Sequence, residues 1–92
     1  MKILIVDDEK LIRDVIKEYL ALEGYSIVEA SDGQDAITKF KTNNIDLVIM
    51  DIMMPKMDGY SACREIKKIK DVPFIMLSAR SEEFDKLLGF NL

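Results

Sequence analysis

The sequence predicts an open α/β fold in which helices cover a parallel β-sheet. Short apolar runs rich in β-branched residues alternate with longer segments whose apolar residues recur at helical spacing. The connections are short, and no linker, repeat or low-complexity segment interrupts the alternation. Strands separated by helices of this length are joined by right-handed crossovers, which place the strands parallel in one sheet.

The first strand is predicted at Ile3 to Val6, a run so apolar that we expect it to be buried on both faces. A helix follows, and Gly24 stands where that helix is expected to stop. The second strand is predicted at Tyr25 to Ala30 and ends in a Ser-Asp-Gly turn. The apolar residues of the first helix at helical spacing are Leu11, Ile12, Val15, Ile16, Tyr19 and Leu20.

The second half of the chain repeats this alternation. The third strand is predicted at Leu47 to Met50 and stops at Asp51. A helix is expected to begin after Asp58, which can cap its N-terminus. The fourth strand is predicted at Phe74 to Leu77, and a last helix is expected to open at Ser81 with acidic residues in its first turn. The second helix carries Ala36, Ile37 and Phe40 between the second and third strands.

The composition excludes several classes of protein. With 49% hydrophobic and 33% charged residues, the chain is expected to form one soluble globular domain spanning residues 1–92. A formal net charge of −4 disfavours a broad nucleic-acid-binding surface, and no apolar run approaches the roughly 20 residues of a membrane span. The absence of histidine excludes imidazole catalysis. The single cysteine, Cys63, cannot form an internal disulfide, which suits a cytoplasmic location. We expect Cys63 to be a small buried residue.

Acidic residues follow two of the predicted strands directly. Asp7 and Asp8 come after the first strand, and Asp51 comes after the third. In open α/β sheets, ligands bind at the carboxyl ends of the strands, near the switch in strand order. If these two strands are neighbours, the three carboxylates converge and repel one another. A hard divalent cation would resolve the repulsion, and Mg²⁺ is apt because it takes oxygen ligands and keeps several waters.

Each acid taken alone is explained more simply as a helix cap or turn residue, and we assign Asp32 and Asp58 to that role. Three acids at two strand ends are harder to explain in this way, because the first helix needs only one cap. Capping does not explain Asp51 either, since Pro55 and a late helix start separate it from the next helix.

Three stretches of the chain resemble the response-regulator receiver family of two-component signalling: Ile3 to Glu9, Asp46 to Gly59, and Pro73 to Arg80. They stand in the right order and spacing, and the strand-Asp-x-x-x-Pro-x-x-Asp-Gly element is the most specific. The resemblance implies a flavodoxin-like doubly wound sheet. It would be incomplete, with four strands in the order 2-1-3-4 and three to four helices. The segment from Leu77 to Leu92 resembles the winged-helix (OmpR/PhoB-like) subfamily, which implies a DNA-binding transcription regulator as the parent.

The resemblance also implies roles for the acidic residues. Asp51 matches the residue that accepts a phosphoryl group from a sensor histidine kinase. Asp8, Asp51 and the backbone carbonyl of Met53 match the ligands of Mg²⁺, and Asp7 matches an acid that acts mostly through a metal-bound water. The implied protein is a phosphorelay acceptor and not an enzyme, beyond self-catalysed phosphotransfer and dephosphorylation.

Three residues after the fourth strand complete the implied site. Ser78 matches the hydroxyl that hydrogen-bonds the phosphoryl group and reports phosphorylation. The backbone N–H of Ala79 is suited to a second phosphoryl oxygen. Arg80, together with Met53, occupies a position that in this family tunes the lifetime of the acyl phosphate.

The sequence departs from the family pattern because the fifth strand, the lysine that ends it and the fifth helix do not occur within it. We therefore expect impaired phosphotransfer, with Mg²⁺ binding retained. The fourth strand would be a sheet edge and part of one sheet face would be uncovered, which predicts self-association. The alternative reading is a signalling-incompetent receiver fragment, engineered or proteolysed. Five other lysines are considered as substitutes, and none of them is expected at a suitable strand end: Lys56, Lys67, Lys68, Lys70 and Lys86.

Other functional classes fit the sequence less well. An aspartate-nucleophile phosphatase of the haloacid dehalogenase type would need a second aspartate where Met53 stands. A dinucleotide-binding domain would need a G-x-G-x-x-G motif after the first strand, and none is present. A flavin-binding domain would need a Ser/Thr-rich loop in place of the acidic run from Asp7 to Glu9.

Overall fold

A computed structural model describes residues 1–77 and the backbone of residues 90 and 91. Four parallel strands and one short antiparallel strand form a sheet of order β2-β1-β3-β4-β5. The four parallel strands have the predicted order 2-1-3-4, whereas the helix predicted from Ser81 lies outside the described residues. The elements are β1 Lys2–Val6, α1 Lys10–Leu22, β2 Ser26–Ala30, α2 Gly33–Thr42, β3 Leu47–Asp51, α3 Gly59–Ile69, β4 Phe74–Leu77 and β5 Phe90–Asn91.

Strand β1 lies at the centre of the sheet and is buried on both faces, as predicted. Its residues from Ile3 to Val6 are at most 1% exposed. It pairs with β2 on one side and β3 on the other, with Val6 opposite both Ala30 and Met50. Because all three strands run parallel, their carboxyl ends lie at the same edge of the sheet.

The two faces of the sheet are covered unequally. Helices α2 and α3 contribute to a large core cluster that includes Phe74 and Met76 of β4, both fully buried. The opposite face has a smaller cluster to which α1 contributes, and there Ile75 and Leu77 are only partly buried. Cys63 lies in the larger cluster, where burial raises the pKa of its thiol, and it is the small buried residue that was predicted.

Helix α1 has apolar side chains that face the sheet and others that face the solvent. The spacing of its apolar residues predicts the helix but does not distinguish these two sets. Ile16 and Leu20 pack against the smaller cluster, but no residue of α1 is fully buried. Four other large apolar side chains are between 49% and 82% exposed: Leu11, Val15, Tyr19 and Leu22. None of the helices within the described ranges is both long enough and apolar enough to cross a membrane.

The ends of the helices follow the sequence signals. Gly24 adopts φ 86° after α1, the left-handed conformation in which glycine has no side-chain penalty. The side chain of Asp32 accepts a hydrogen bond from the N–H of Asp35 at 2.8 Å, and that of Asp58 accepts one from Ser61 at 2.8 Å. The Ser61 N–H also lowers the pKa of Asp58. Both aspartates are therefore the helix caps that were predicted.

The open edge of β4 differs from the prediction. Phe90 pairs with Met76, and Asn91 pairs with Ile75, in an antiparallel ladder. The expectation of a bare fourth strand is therefore wrong over these two positions. The physical reason is that β4 presents unpaired backbone groups, which another segment of the same chain can satisfy.

An ion-pair network joins α1 to β2. Arg13 Nε lies 3.1 Å from one carboxylate oxygen of Glu29, and Lys17 Nζ lies 2.9 Å from the other. The hydrogen bond from Lys17 is the main cause that lowers the pKa of Glu29, and the hydrogen bond from Arg13 acts in the same direction. The charged form of Glu29 is therefore stabilised by the folded state.

This network predicts a pH-dependent contribution to stability. Because the folded state lowers the pKa of Glu29, the unfolded chain takes up its proton at higher pH, and stability rises with pH in this range. The contribution of Glu29 to stability is complete at pH values above its ordinary pKa of 4.5, and it disappears as the pH falls through the lowered pKa of the folded state. We expect Glu29→Gln to lower the free energy of unfolding by about 1 kcal/mol at neutral pH. Urea unfolding of both proteins across pH 3 to 7 measures this difference, which should shrink as the pH falls.

The matched control is Glu65→Gln, which removes an exposed carboxylate paired with Lys68 within α3. Exposed pairs of this kind contribute little, so we expect a smaller effect of this change at every pH. An identical effect of the two substitutions would contradict the proposed contribution of the Glu29 network.

Candidate functional site

The structure brings three carboxylates together at the carboxyl edge of the sheet. Asp7 follows β1, Asp51 is the last residue of β3, and Asp8 is adjacent to Asp7. One carboxylate oxygen from each residue lies within 4.8 Å of the other two. Asp7 and Asp51 are each 5% exposed, whereas Asp8 is open to solvent. We refer to these three residues as the acidic cluster.

Neither Asp7 nor Asp8 is the N-cap residue of α1. The N-cap residue is Glu9, and its side chain makes no capping hydrogen bond. Asp7 Oδ1 accepts a hydrogen bond from the Glu9 N–H at 2.9 Å, which closes a tight turn over Asp8. The carbonyl oxygen of Asp7 accepts a hydrogen bond from Arg13 Nη1 at 2.7 Å. Sequence reasoning missed Arg13, although its position one helical turn into α1 places it near this strand end.

The loop after Asp51 folds back beside the carboxylate. Asp51 Oδ1 accepts a hydrogen bond from the N–H of Met53 at 3.3 Å, so the backbone of Met53 lies next to the cluster while its side chain is exposed. The N–H of Met57 donates to the carbonyl oxygen of Pro55 at 2.8 Å, across Lys56 with φ 70°. This tight turn postpones the next helix, which explains why Asp51 is not a helix cap.

Gly59 lets the start of α3 approach the backbone that follows Asp51. Its N–H donates to the carbonyl oxygen of Ile52 at 2.8 Å. A β-carbon at this position would clash with the carbonyl oxygen of Asp51 and would lie 2.8 Å from the α-carbon of Ile52. Both atoms belong to the backbone and cannot move aside as a flexible side chain can. The Asp-Gly pair therefore combines a helix cap with a close backbone contact under the cluster.

Because of this contact, Gly59→Ala is expected to push α3 away from the end of β3. Overpacking of this kind costs about 1–3 kcal/mol of stability. A thermal or urea unfolding curve followed by circular dichroism measures the loss. The matched control is Gly33→Ala, where the added carbon would meet only the side chain of Met57 at 3.0 Å. The explanation would be wrong if Gly33→Ala were as destabilising as Gly59→Ala.

Strand β4 ends level with Asp51. Leu77 is opposite Asp51 in the parallel ladder, and its carbonyl oxygen accepts a hydrogen bond from the N–H of Ile52 at 3.0 Å. Ser78, Ala79 and Arg80, for which roles at the site were predicted, lie outside the described residues. Their roles therefore stay predictions.

The lysines of α3 have partners away from the acidic cluster. Lys67 pairs with Asp71 at 3.1 Å and lies over the ring of Phe74. Lys68 pairs with Glu65 at 3.1 Å within the helix. These contacts agree with the expectation that neither Lys67 nor Lys68 replaces the lysine of the family pattern. Lys86 lies outside the described residues.

The chemistry of the cluster suits a divalent cation. Three carboxylate oxygens this close together repel one another, and two of the carboxylates are largely removed from water. Hard cations such as Mg²⁺ bind carboxylate and carbonyl oxygens and retain water on the open side. The exposed position of Asp8 leaves the cluster accessible from solvent. The carboxylate oxygens of the acidic cluster therefore fit a cation site that is open to a substrate on the solvent side.

Comparison with known proteins identifies the family. A family model described as the response regulator receiver domain matches residues 3–92. The chain therefore belongs to the response regulator receiver family. This is a signalling domain and not a classical enzyme, so the match disfavours the alternative of an aspartate-nucleophile phosphatase.

The curated relatives are transcriptional regulators. The chain is 49% identical over 90 residues to the probable transcriptional regulator ycf27 of Cyanidium caldarium, covering 98% of this chain and 36% of that protein. It is 44% identical over 92 residues to the alkaline phosphatase synthesis transcriptional regulatory protein PhoP of Bacillus subtilis, covering 99% of this chain and 38% of that protein. The chain thus spans less than two fifths of the length of these relatives.

Solved structures show the same fold. The response regulator protein TrrA of Thermotoga maritima, in complex with Mg²⁺ and BeF, matches with a TM-score of 0.81 and 48% identity over 87% of this chain and 70% of that one. A structure of the histidine kinase ThkA in complex with TrrA matches with a TM-score of 0.80 and 43% identity over 94% of this chain and 78% of that chain. These matches agree with the strand order described above.

Proposed function

We propose that this receiver domain accepts a phosphoryl group on Asp51 from a sensor histidine kinase. The observation that carries the proposal is the acidic cluster, in which the Asp51 carboxylate lies beside those of Asp7 and Asp8 at the strand ends. The complex of ThkA with TrrA, a protein similar to this chain, supports a histidine kinase as the partner.

In the proposed reaction, a carboxylate oxygen of Asp51 attacks the phosphorus of a phosphohistidine. An O–P bond forms and the P–N bond breaks, and the departing imidazole keeps the electron pair and takes up a proton. Such transfers depend on positioning and charge stabilisation more than on covalent chemistry by the protein. The hydrogen bond from the Met53 N–H orients the Asp51 carboxylate for this attack. In self-catalysed dephosphorylation, a water would attack the same phosphorus, the bond from phosphorus to the Asp51 oxygen would break, and the Asp51 carboxylate and inorganic phosphate would be released.

Mg²⁺ is the proposed cofactor. Asp8, Asp51 and the backbone carbonyl of Met53 are its proposed ligands, and Asp7 is proposed to act through a bound water. When bound, the cation would neutralise charge on the carboxylates and on the phosphoryl oxygens. The spacing of the carboxylate oxygens supports this assignment, as does the similar protein TrrA, which was solved with Mg²⁺ and BeF.

Ser78 and Ala79 are proposed to complete the site by hydrogen bonds to the phosphoryl oxygens. The support is that Leu77, the residue before them, is level with Asp51 in the sheet. For the longer protein we propose a cytoplasmic transcription regulator that binds DNA through another domain, because the curated relatives are transcriptional regulators. Residues 1–92 themselves are not proposed to contact nucleic acid, given their net charge of −4.

The acceptor proposal predicts which acids matter for phosphorylation. Incubation of the chain with Mg²⁺ and a small phosphodonor such as acetyl phosphate should give an acid-labile adduct detectable by mass spectrometry. Asp51→Asn should abolish this adduct because the nucleophile is lost, and Asp8→Asn should reduce it because cation binding is weakened. Asp71→Asn is the matched control, since this acid is exposed and pairs with Lys67 at the far end of α3.

An adduct that persists in Asp51→Asn would overturn the assignment of the acceptor. Absence of any adduct in the unsubstituted chain, with Mg²⁺ binding retained, would support the second candidate function, a receiver fragment that is incompetent in signalling.

We also propose that copies of this chain associate through the α1 face. This face comprises the exposed apolar side chains of α1 and the half-buried residues Ile75 and Leu77 of β4. The support is that several large apolar side chains on one helix are exposed to water, which favours burial against another surface. The α1 face replaces the β4 edge as the main contact, because β5 already occupies that edge at two positions.

Self-association is tested by sedimentation velocity at tens of micromolar. The unsubstituted chain should form dimers or larger species, and the double substitution Leu11→Lys and Leu22→Lys should shift it towards monomer. Gln34→Lys, on the exposed surface of α2, adds the same type of charge elsewhere and should leave the association unchanged. A compact monomer of the unsubstituted chain at this concentration would exclude the proposal.

A further inference from the structure

Arg13 connects the acidic cluster to the rest of the domain. Its Nη1 donates a hydrogen bond to the carbonyl oxygen of Asp7 at 2.7 Å, and its Nε donates to Glu29 Oε1 at 3.1 Å. Only 14% of the side chain is exposed. The guanidinium therefore joins the end of β1 to the end of β2 from a position on α1.

The hydrogen bond to the Asp7 carbonyl controls the peptide between the two adjacent acids. The N–H of Asp7 is already held by the carbonyl of Ala30 at 3.2 Å, and Asp7 Oδ1 holds the N–H of Glu9 at 2.9 Å. Because a peptide unit is planar, fixing its carbonyl oxygen also fixes the direction of the N–H of Asp8. Arg13 thus limits the rotation that would swing the exposed Asp8 carboxylate away from its two partners.

The guanidinium is itself held in place. The second carboxylate oxygen of Glu29 accepts a hydrogen bond from Lys17 at 2.9 Å, and the backbone carbonyl of Glu29 accepts one from Lys39 at 2.7 Å. Arginine presents several donors in a rigid plane, so two of them can bind two separate acceptors at once. A lysine at position 13 has a single ammonium group and cannot reproduce this fixed geometry.

We propose that Arg13 is a positioning residue of the acidic cluster: it orients the Asp7–Asp8 peptide and thereby sets the affinity of the cluster for a divalent cation. The inference rests on the proposed Mg²⁺ site and extends it to a residue that does not contact the ion. Residues that support metal ligands in this way typically change metal affinity by 10–100-fold when they are substituted.

The test compares Arg13→Gln with Lys17→Gln by calorimetric titration with Mg²⁺. Each substitution removes one positive charge and one partner of Glu29, but only Arg13 contacts the Asp7 carbonyl. Loss of a nearby positive charge alone would strengthen cation binding. We expect Arg13→Gln to weaken Mg²⁺ binding by about tenfold, despite the lost charge. Lys17→Gln should leave the affinity within about twofold, and Arg13→Lys should restore it only in part.

A second measurement needs no metal. Hydrogen exchange of the Glu9 amide, followed by NMR in metal-free protein, reports the turn that Asp7 closes over Asp8. We expect Arg13→Gln to accelerate this exchange, while amides of β3 keep their protection because the fold is retained. Lys17→Gln should leave the Glu9 amide protected.

The outcomes separate this inference from the proposed function. If the unsubstituted chain binds no Mg²⁺, the proposed cation site fails, and the Glu9 amide alone then decides whether Arg13 orients the turn. If Mg²⁺ binds equally well to the unsubstituted chain and to Arg13→Gln, the positioning role of Arg13 is overturned while the site stands. Equal weakening in Arg13→Gln and Lys17→Gln would also overturn it, because the ion pair with Glu29 would then be the cause.

Discussion

The parallel register of β1 and β3 is the constraint on which the acidic cluster depends. Val6 lies opposite Met50, so Asp7, which follows β1, and Asp51, which ends β3, lie at the same edge of the sheet. Asp7 and Asp51 are thereby brought close together, although 44 positions separate them in the sequence. A shift of one residue in either strand would turn every side chain of that strand to the opposite face and separate the carboxylates. The apolar, fully buried β1 opposes such a shift because its side chains fill both core clusters.

The loop from Ile52 to Asp58 converts this strand end into a site. If α3 began directly after β3, Asp51 would serve as its cap, as Asp58 does for the observed helix. The tight turn at Lys56 and the close approach of Gly59 instead keep the helix start away from the carboxylate. The same residue type therefore caps helices at two positions and belongs to the acidic cluster at a third, according to where the helix begins.

The unequal covering of the sheet divides the domain into two regions of different character. The face under α2 and α3 is a closed core, in which the side chains of Phe74 and Met76 are fully buried. The face under α1 leaves Ile75 and Leu77 partly exposed and includes the hydrogen-bonded Arg13 that reaches the acidic cluster. The larger core therefore lies on one side of the sheet, and the contact of Arg13 with the acidic cluster comes from the other.

The sequence by itself determined the order of strands and helices, the caps and the acids at the strand ends. These features depend on short-range patterns: apolar spacing, the turn at Gly24, and the cap at Asp58. Only the tertiary structure decided that four large apolar side chains of α1 stay exposed, that β5 pairs with β4, and that Arg13 holds both Asp7 and Glu29. Each of these depends on which distant segments become neighbours, and local periodicity does not contain that information.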